Sequence, residues 1–341
     1  MIDSELARGA DVLVRDQMAV KPGESVLITS DTAGDLVAVE AVLNAATLAG
    51  AKAAVILNRP LPLQGLLADP FVSAPLAEAV KNCDVWIDMT CPYLAGSNTH
   101  DAAMKNKRTR YLLAVDIGSG GLRRVYAGVD MDALYAVQNE LDSFVAAATG
   151  KTGHITNQAG SDVTFTLAKP SYGKRRRADV PGTTSVPGSC LMYPELDSVR
   201  GRVVLDTLFH EYHIPLRTPL VIELDGRIQS VSGGGSERAV MERALRRAAG
   251  GDFGYIIHFT LGFHPTARQG QGFVEDLRVT GNNAVGFGLP WWEPGGGENH
   301  PDGLMSLQTL TIDGQPITEN GVVVGPPKAA KLAAKLKPLV H

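Results

Sequence analysis

The chain has 341 residues, 20% of them charged, with a formal net charge of −4. This length allows two domains, and the acidic balance leaves no clustered Lys and Arg to meet nucleic-acid phosphates, which excludes a nucleic-acid partner. No uncharged apolar run reaches the roughly 18 residues that a membrane span needs.

The segment from Met1 to Gln17 mixes charged and apolar residues and has no apolar h-region, so it does not read as a signal peptide. Ser25–Ser30 (SVLITS) is a compact β-type run, followed by Asp31 and Asp35 as cap candidates and a helical segment to Leu48. Ala53–Leu57 is the next apolar run. A helix over Ala74–Lys81, a strand over Val85–Met89, a helix over Thr99–Lys107 and a strand over Arg110–Val115 follow. Short apolar strands alternating with helices predict βαβ units and a parallel sheet covered on both faces. The helix Met131–Ala148 closes this half.

Beyond Gly150 the texture changes. Gly and Pro become frequent, and strand-like runs dominate: Val163–Leu167, Val203–Leu208, Pro219–Leu224, Ile256–Leu261, Ala284–Gly288 and Leu307–Ile312. Asp225-Gly226 reads as a hairpin turn. The helix Ser236–Ala249 has Ser236 as its expected N-cap, and Lys328–Lys337 reads as a short basic helix. The prediction is an α/β protein, with a parallel-sheet α/β domain over 1–150 and a β-rich α+β domain over 151–341.

Three cysteines, Cys83, Cys91 and Cys190, show no paired metal spacing, and a chain this long needs no disulfide framework. A reducing, cytoplasmic setting follows as the expectation. The basic run Lys174–Arg177 reads either as a solvated loop or as a rim that draws in an anion.

Chemistry concentrates around the histidines. In Asn299-His300-Pro301-Asp302-Gly303, a His and an Asp two apart in extended chain point to one side and could share an ion. A solvated polar turn has the same pattern. His258 stands alone in the apolar run Tyr255–Leu261, where an imidazole needs a hydrogen-bond partner or a metal. His264 reads as part of a turn nearby. His210-Glu211-Tyr212-His213 has H-x-x-H spacing in place of H-E-x-x-H, with strand-like flanks, so it is no zincin motif, although both histidines could line a pocket. His100 opens a helix after the third strand, where α/β sheets place ligand-contacting loops. There is no dinucleotide fingerprint, Walker motif or nucleophile elbow.

Taken in order, His100 with Thr109–Val115, Ala159–Asp162, Gly201–Asp206, Ile222-Glu223, Asp225-Gly226, Gly233-Gly234, Ile257-His258 through Gly262, Pro265–Ala267, Asp276 to Gly281-Asn282, and His300–Asp302 resemble the 2,5-dihydroxypyridine 5,6-dioxygenase branch of the aminopeptidase T-like metallopeptidase superfamily. The resemblance runs over nearly the whole chain. It implies that the peptidases hold two metals, with Glu at the position matching His258 and a further His in the strand matching Asn283–Gly288. This sequence has His at the first place and no His from Pro265 to Asn299. What remains is His258, His300 and Asp302, which the resemblance identifies as the triad holding one Fe(II) per chain in the ring-cleaving branch.

The resemblance therefore implies a non-haem Fe(II) ring-cleavage dioxygenase of the extradiol type, taking a small aromatic substrate and O₂. His100 is the implied acid/base, with His210 and His213 as alternatives. Arg268 is a candidate for orienting anionic groups and Trp291 for stacking on the ring. The resemblance implies an acidic residue and a His in the segment matching Asp179–Val186, and this stretch has no His, which leaves room for a different hydroxylated ring. A metal-dependent hydrolase or aminopeptidase at the same triad is the alternative, and a ligand-binding relative with a degenerate site is a third reading. A homo-oligomer is compatible with all of them.

Overall fold

The apolar runs of the first half become neighbouring parallel strands because each is covered on both faces and so carries no polar alternation. Ser25–Asp31 is buried from Val26 onward. It pairs in parallel with Lys52–Asn58 on one side and Val85–Asp88 on the other, and Arg110–Leu113 lies beyond. Lys52–Asn58 is the edge strand, and part of its length stays open to solvent. The computed structural model describes residues 1–170, 177–209, 214–290 and 300–339.

Helix starts follow side-chain caps. Asp35 accepts N–H bonds from Val37 and Ala38 at the head of Leu36–Leu48, and Asp130 does the same for Ala133 at the head of Met131–Ala147. Asp31 instead ends the first strand and accepts from Ala33 N and Cys91 N. Ser97 accepts from His100 N and so fixes the start of Asn98–Lys105. Ser236 precedes the helix Glu237–Ala248 but makes no side-chain cap bond. Its backbone is already helical (φ −69°, ψ −26°), whereas a capping side chain needs an extended residue to reach back to the first free N–H groups.

A fifth strand, Gly182–Ser185, joins the parallel sheet beside Arg110–Leu113 and comes from the second half of the chain. The rest of that half forms two antiparallel sheets. The six-stranded one runs Ile214–Pro215, Leu208–Phe209, Asp302–Met305, Asn283–Gly288, Tyr255–Gly262, Ser189–Met192. In the eight-stranded one, Leu220–Asp225 and Arg227–Gly233 form the hairpin at Gly226, whose φ of +73° suits glycine. The architecture is the expected mixed α/β one: a parallel sheet first, antiparallel sheets after it.

One continuous core binds the halves, holding Val26, Ile28, Ile87 and Leu112 together with Phe165, Phe259 and Phe287. Phe165 stacks on Phe259 with ring centroids 4.6 Å apart, worth about 0.5–1.5 kcal/mol beyond the area buried. Asp116, after the fourth strand, accepts N–H bonds from Phe273 and Val274 and so anchors the short helix Phe273–Asp276. Glu275 of that helix takes a two-bond fork from Arg124, at 2.7 and 2.8 Å. Among the described residues no helix is long and apolar enough to cross a membrane.

Candidate metal centre

Tyr255–Gly262 is buried along nearly its whole length. Its register against Asn283–Gly288 slips between Ile256 and His258, and such a bulge re-aims the side chains that follow it. His258 and Thr260, two residues apart, then face one side, while Phe259 packs into the core on the other. Opposite His258 stands Gly286, and opposite Gly286 on the next strand stands Asp302. A Cβ at Gly286 would lie 2.2 Å from His258 Nε2. The missing side chain is the space into which the imidazole folds.

His300 enters just ahead of the strand Asp302–Met305, held by Gln64 Nε2 donating to its carbonyl (3.0 Å) and by Phe287 N donating to Pro301 O. The two histidine Nε2 atoms lie 3.1 Å apart. Asp302 Oδ1 is 3.2 Å from His258 Nε2 and 3.4 Å from His300 Nε2. All three side chains are buried, Asp302 to 1% exposure. Donors about 2.1 Å from one ion and at right angles to each other stand roughly 3.0 Å apart, so the three atoms fit a single small divalent cation. His258 Nδ1 is 3.1 Å from Thr260 Oγ1. A hydroxyl accepting the Nδ1 proton leaves the Nε2 lone pair aimed at the centre, the outer partner that a metal-binding imidazole ordinarily has.

The three donors open onto a cavity of about 450 Å³. His100 lines it too, together with Tyr93, Met104, Leu191, Phe273 and a hydroxyl wall of Thr183, Thr184 and Ser185. His100 Nε2 lies 3.0 Å from Thr183 Oγ1, Gly96 N donates to His100 Nδ1 (3.3 Å), and the ring packs edge-on against Tyr111. Behind it, Tyr111 Oη and Leu94 N donate to Asp88 Oδ2 while Thr29 Oγ1 and Thr90 N donate to Oδ1. Burial nonetheless raises the Asp88 carboxyl above its ordinary value, and burial raises the Tyr111 phenol well above its own.

The structure thus brings His100, His258, His300 and Asp302 to one cavity. Arg268 does not join them. It is exposed and lines a separate cavity with Arg123 and Arg124, because its backbone N is tied to Glu275 Oε1 and turns the segment away. His264 is buried, its Nε2 donating to Val125 O (3.0 Å), and burial pushes it down to about 4. His210, His213, Trp291 and Lys174–Arg176 lie outside the described residues, whereas Arg177 is paired with Asp132. Burial pushes the Cys83 thiol up to about 11, which favours its protonated form.

Sequence reasoning missed the hydroxyl wall, Gly286 and the buried Arg278, which lines the cavity and donates to Val186 O. Only Gly-Thr-Thr-Ser, a β-branched pair between Pro181 and Pro187, signalled a short strand.

The family described as NicX: 2,5-dihydroxypyridine 5,6-dioxygenase matches residues 13–325. The structure of 2,5-dihydroxypyridine dioxygenase from Pseudomonas putida KT2440 is similar, with a TM-score of 0.77 at 21% identity over 96% of this chain and 100% of that one. Wild-type AmpT from Thermus thermophilus is similar with a TM-score of 0.66 at 14% identity, over 94% of this chain and 99% of that one. No curated protein sequence matches.

Proposed function

We propose that the chain, which belongs to the 2,5-dihydroxypyridine 5,6-dioxygenase family and is a ring-cleaving dioxygenase, acts on a hydroxylated pyridine and holds one Fe(II) with His258, His300 and Asp302, at which the ring is opened by the extradiol route. The observation that carries this is the convergence of three buried donors within 3.4 Å of one another on the wall of the cavity that also holds His100. Dioxygen is the co-substrate, and the free state of Cys83, Cys91 and Cys190 accords with a cytoplasmic setting.

Bound Fe(II) supplies the electron transfer that lets dioxygen react with the ring. The remaining work belongs to the chain. Tyr93, Leu191 and Phe273 give the ring an apolar bed and shed water from it. His100, whose Nε2 lies 3.0 Å from Thr183 Oγ1, exchanges a proton with the substrate hydroxyl through that threonine. Thr260 holds His258 in the tautomer that leaves Nε2 free to bind.

The test is anaerobic reconstitution with Fe(II), then oxygen-electrode measurement over hydroxypyridines and dihydroxybenzenes. Oxygen uptake with one iron per chain is expected. Two metals per chain with amide hydrolysis and no uptake would replace the reading with a hydrolase.

A further inference from the structure

His100 has three polar neighbours: Gly96 N–H and, farther off at 3.8 Å, Asp101 Oδ1 at Nδ1, and Thr183 Oγ1 at Nε2. Only the first two have a fixed sense, and of those only Gly96 N–H is within hydrogen-bond reach. Gly96 N–H can only donate, so the Nδ1 it meets at 3.3 Å is the acceptor, and in the neutral ring the proton sits on Nε2. Nε2–H therefore donates to Thr183 Oγ1 at 3.0 Å. With that lone pair engaged, the Thr183 hydroxyl has its own proton to place. The acceptor it finds is Met104 Sδ, 3.5 Å away, and a thioether accepts weakly.

The position is also rigid. Thr183 lies in the parallel sheet opposite Tyr111, and a β-branched side chain has few rotamers to choose from. Thr183 lines the cavity that holds the three metal-type donors. An oxygen arriving there on a ring is a far better acceptor than the thioether.

We propose that Thr183 is a specificity-determining residue: it donates a hydrogen bond to an oxygen substituent of the ring, in a direction set by the chain from Gly96 N–H through His100. A hydroxyl donor at this wall suits an anionic or carbonyl ring oxygen. The inference rests on the reading of this cavity as the site of the hydroxylated pyridine.

The experiment is anaerobic calorimetric titration of the iron-loaded protein with 2,5-dihydroxypyridine, 2-hydroxypyridine and 3-hydroxypyridine. Thr183→Val should weaken binding of the dihydroxy ring about 10- to 100-fold, the range for a hydrogen bond to a charged acceptor, with iron content unchanged. Thr183→Ser should stay within about threefold of wild type. One of the two monohydroxy rings should bind the wild type as weakly as the dihydroxy ring binds Thr183→Val, and should be indifferent to that substitution. His100→Ala should show the same loss, with Thr183→Val adding less than about threefold to it, because the two residues form one chain. Binding by Thr183→Val within threefold of wild type overturns the proposal, and so does Thr183→Ser falling as far as Thr183→Val. If the wild type binds none of the three pyridines, the substrate reading itself falls and takes the proposal with it, a result distinct from a failure confined to the variants.

Discussion

Gly286 lies directly across the sheet from His258, and the imidazole Nε2 sits where a side chain at 286 would begin. Gly286 also pairs with Asp302 on its other side, so one glycine separates two of the three donors. Its φ is not positive, so alanine meets no backbone strain there and its effect comes from volume alone. A Cβ 2.2 Å from Nε2 must displace the ring. Gly286→Ala should therefore lose most of its iron, to below about a tenth of the wild-type content, while circular dichroism stays native. Full iron content by elemental analysis would mean that the ring is not the ligand.

His258→Ala and Asp302→Ala should each abolish iron retention in a folded chain. Two remaining donors hold a divalent ion weakly, and the buried carboxylate is the one anionic member of the set. Iron stoichiometry after desalting decides it. Near wild-type content in both variants would sink the assignment.

The parts legible in the sequence were those fixed by neighbours along the chain. Ser25–Ser30 reads as a compact β-type run and Ile256–Leu261 as a strand-like one, and both are strands. His300 and Asp302 share a side because extended chain alternates. What could not be read depends on lateral pairing across long stretches of sequence. Gly182–Ser185 becomes a cavity wall only because it docks beside Arg110–Leu113, and nothing within that tetrapeptide encodes its neighbour. Gly286 gains its meaning from the register with His258. Arg268 looked like a substrate residue by charge, yet a local bond to Glu275 directs it elsewhere.

His100 is outside the set of three yet lines their cavity. His100→Ala should keep its iron and lose turnover by roughly 10²–10⁴-fold, the range for a positioned general acid or base. Comparing kcat with iron content separates the two roles. A loss of less than threefold in kcat would move the proton transfer to another group.

His264 gives a pH dependence of stability away from the cavity. Burial holds its pKa at about 4, below the ordinary 6.5. The folded state thus binds fewer protons than the unfolded one. Its contribution is complete above pH 6.5 and is lost as pH falls from 6.5 toward 4, up to about 3 kcal/mol. His264→Gln should flatten that part of the profile whatever its own baseline stability. Urea midpoints at pH 7.5 and 4.5 for both proteins test this, and equal pH-dependent drops would show that His264 titrates normally.

The remaining prediction concerns which ion works at the three donors, since their geometry alone also suits zinc. Two neutral imidazoles and one carboxylate leave a divalent ion with a net charge of +1 and with open positions for a chelating ring and dioxygen. Zinc binds nitrogen and oxygen donors at the same distances, but its filled d shell passes no electrons. Iron does, and two His with one carboxylate on one face is the arrangement that non-haem Fe(II) oxygenases share. Fe(II)-loaded protein should therefore consume oxygen in proportion to ring cleaved, and should stop under argon. Added zinc should inhibit by taking the same three donors, and chelation followed by fresh Fe(II) should restore the rate. Full activity of a zinc-loaded, iron-free preparation under argon would overturn the proposed iron chemistry, because that chemistry consumes dioxygen and passes electrons through a metal, which zinc cannot do.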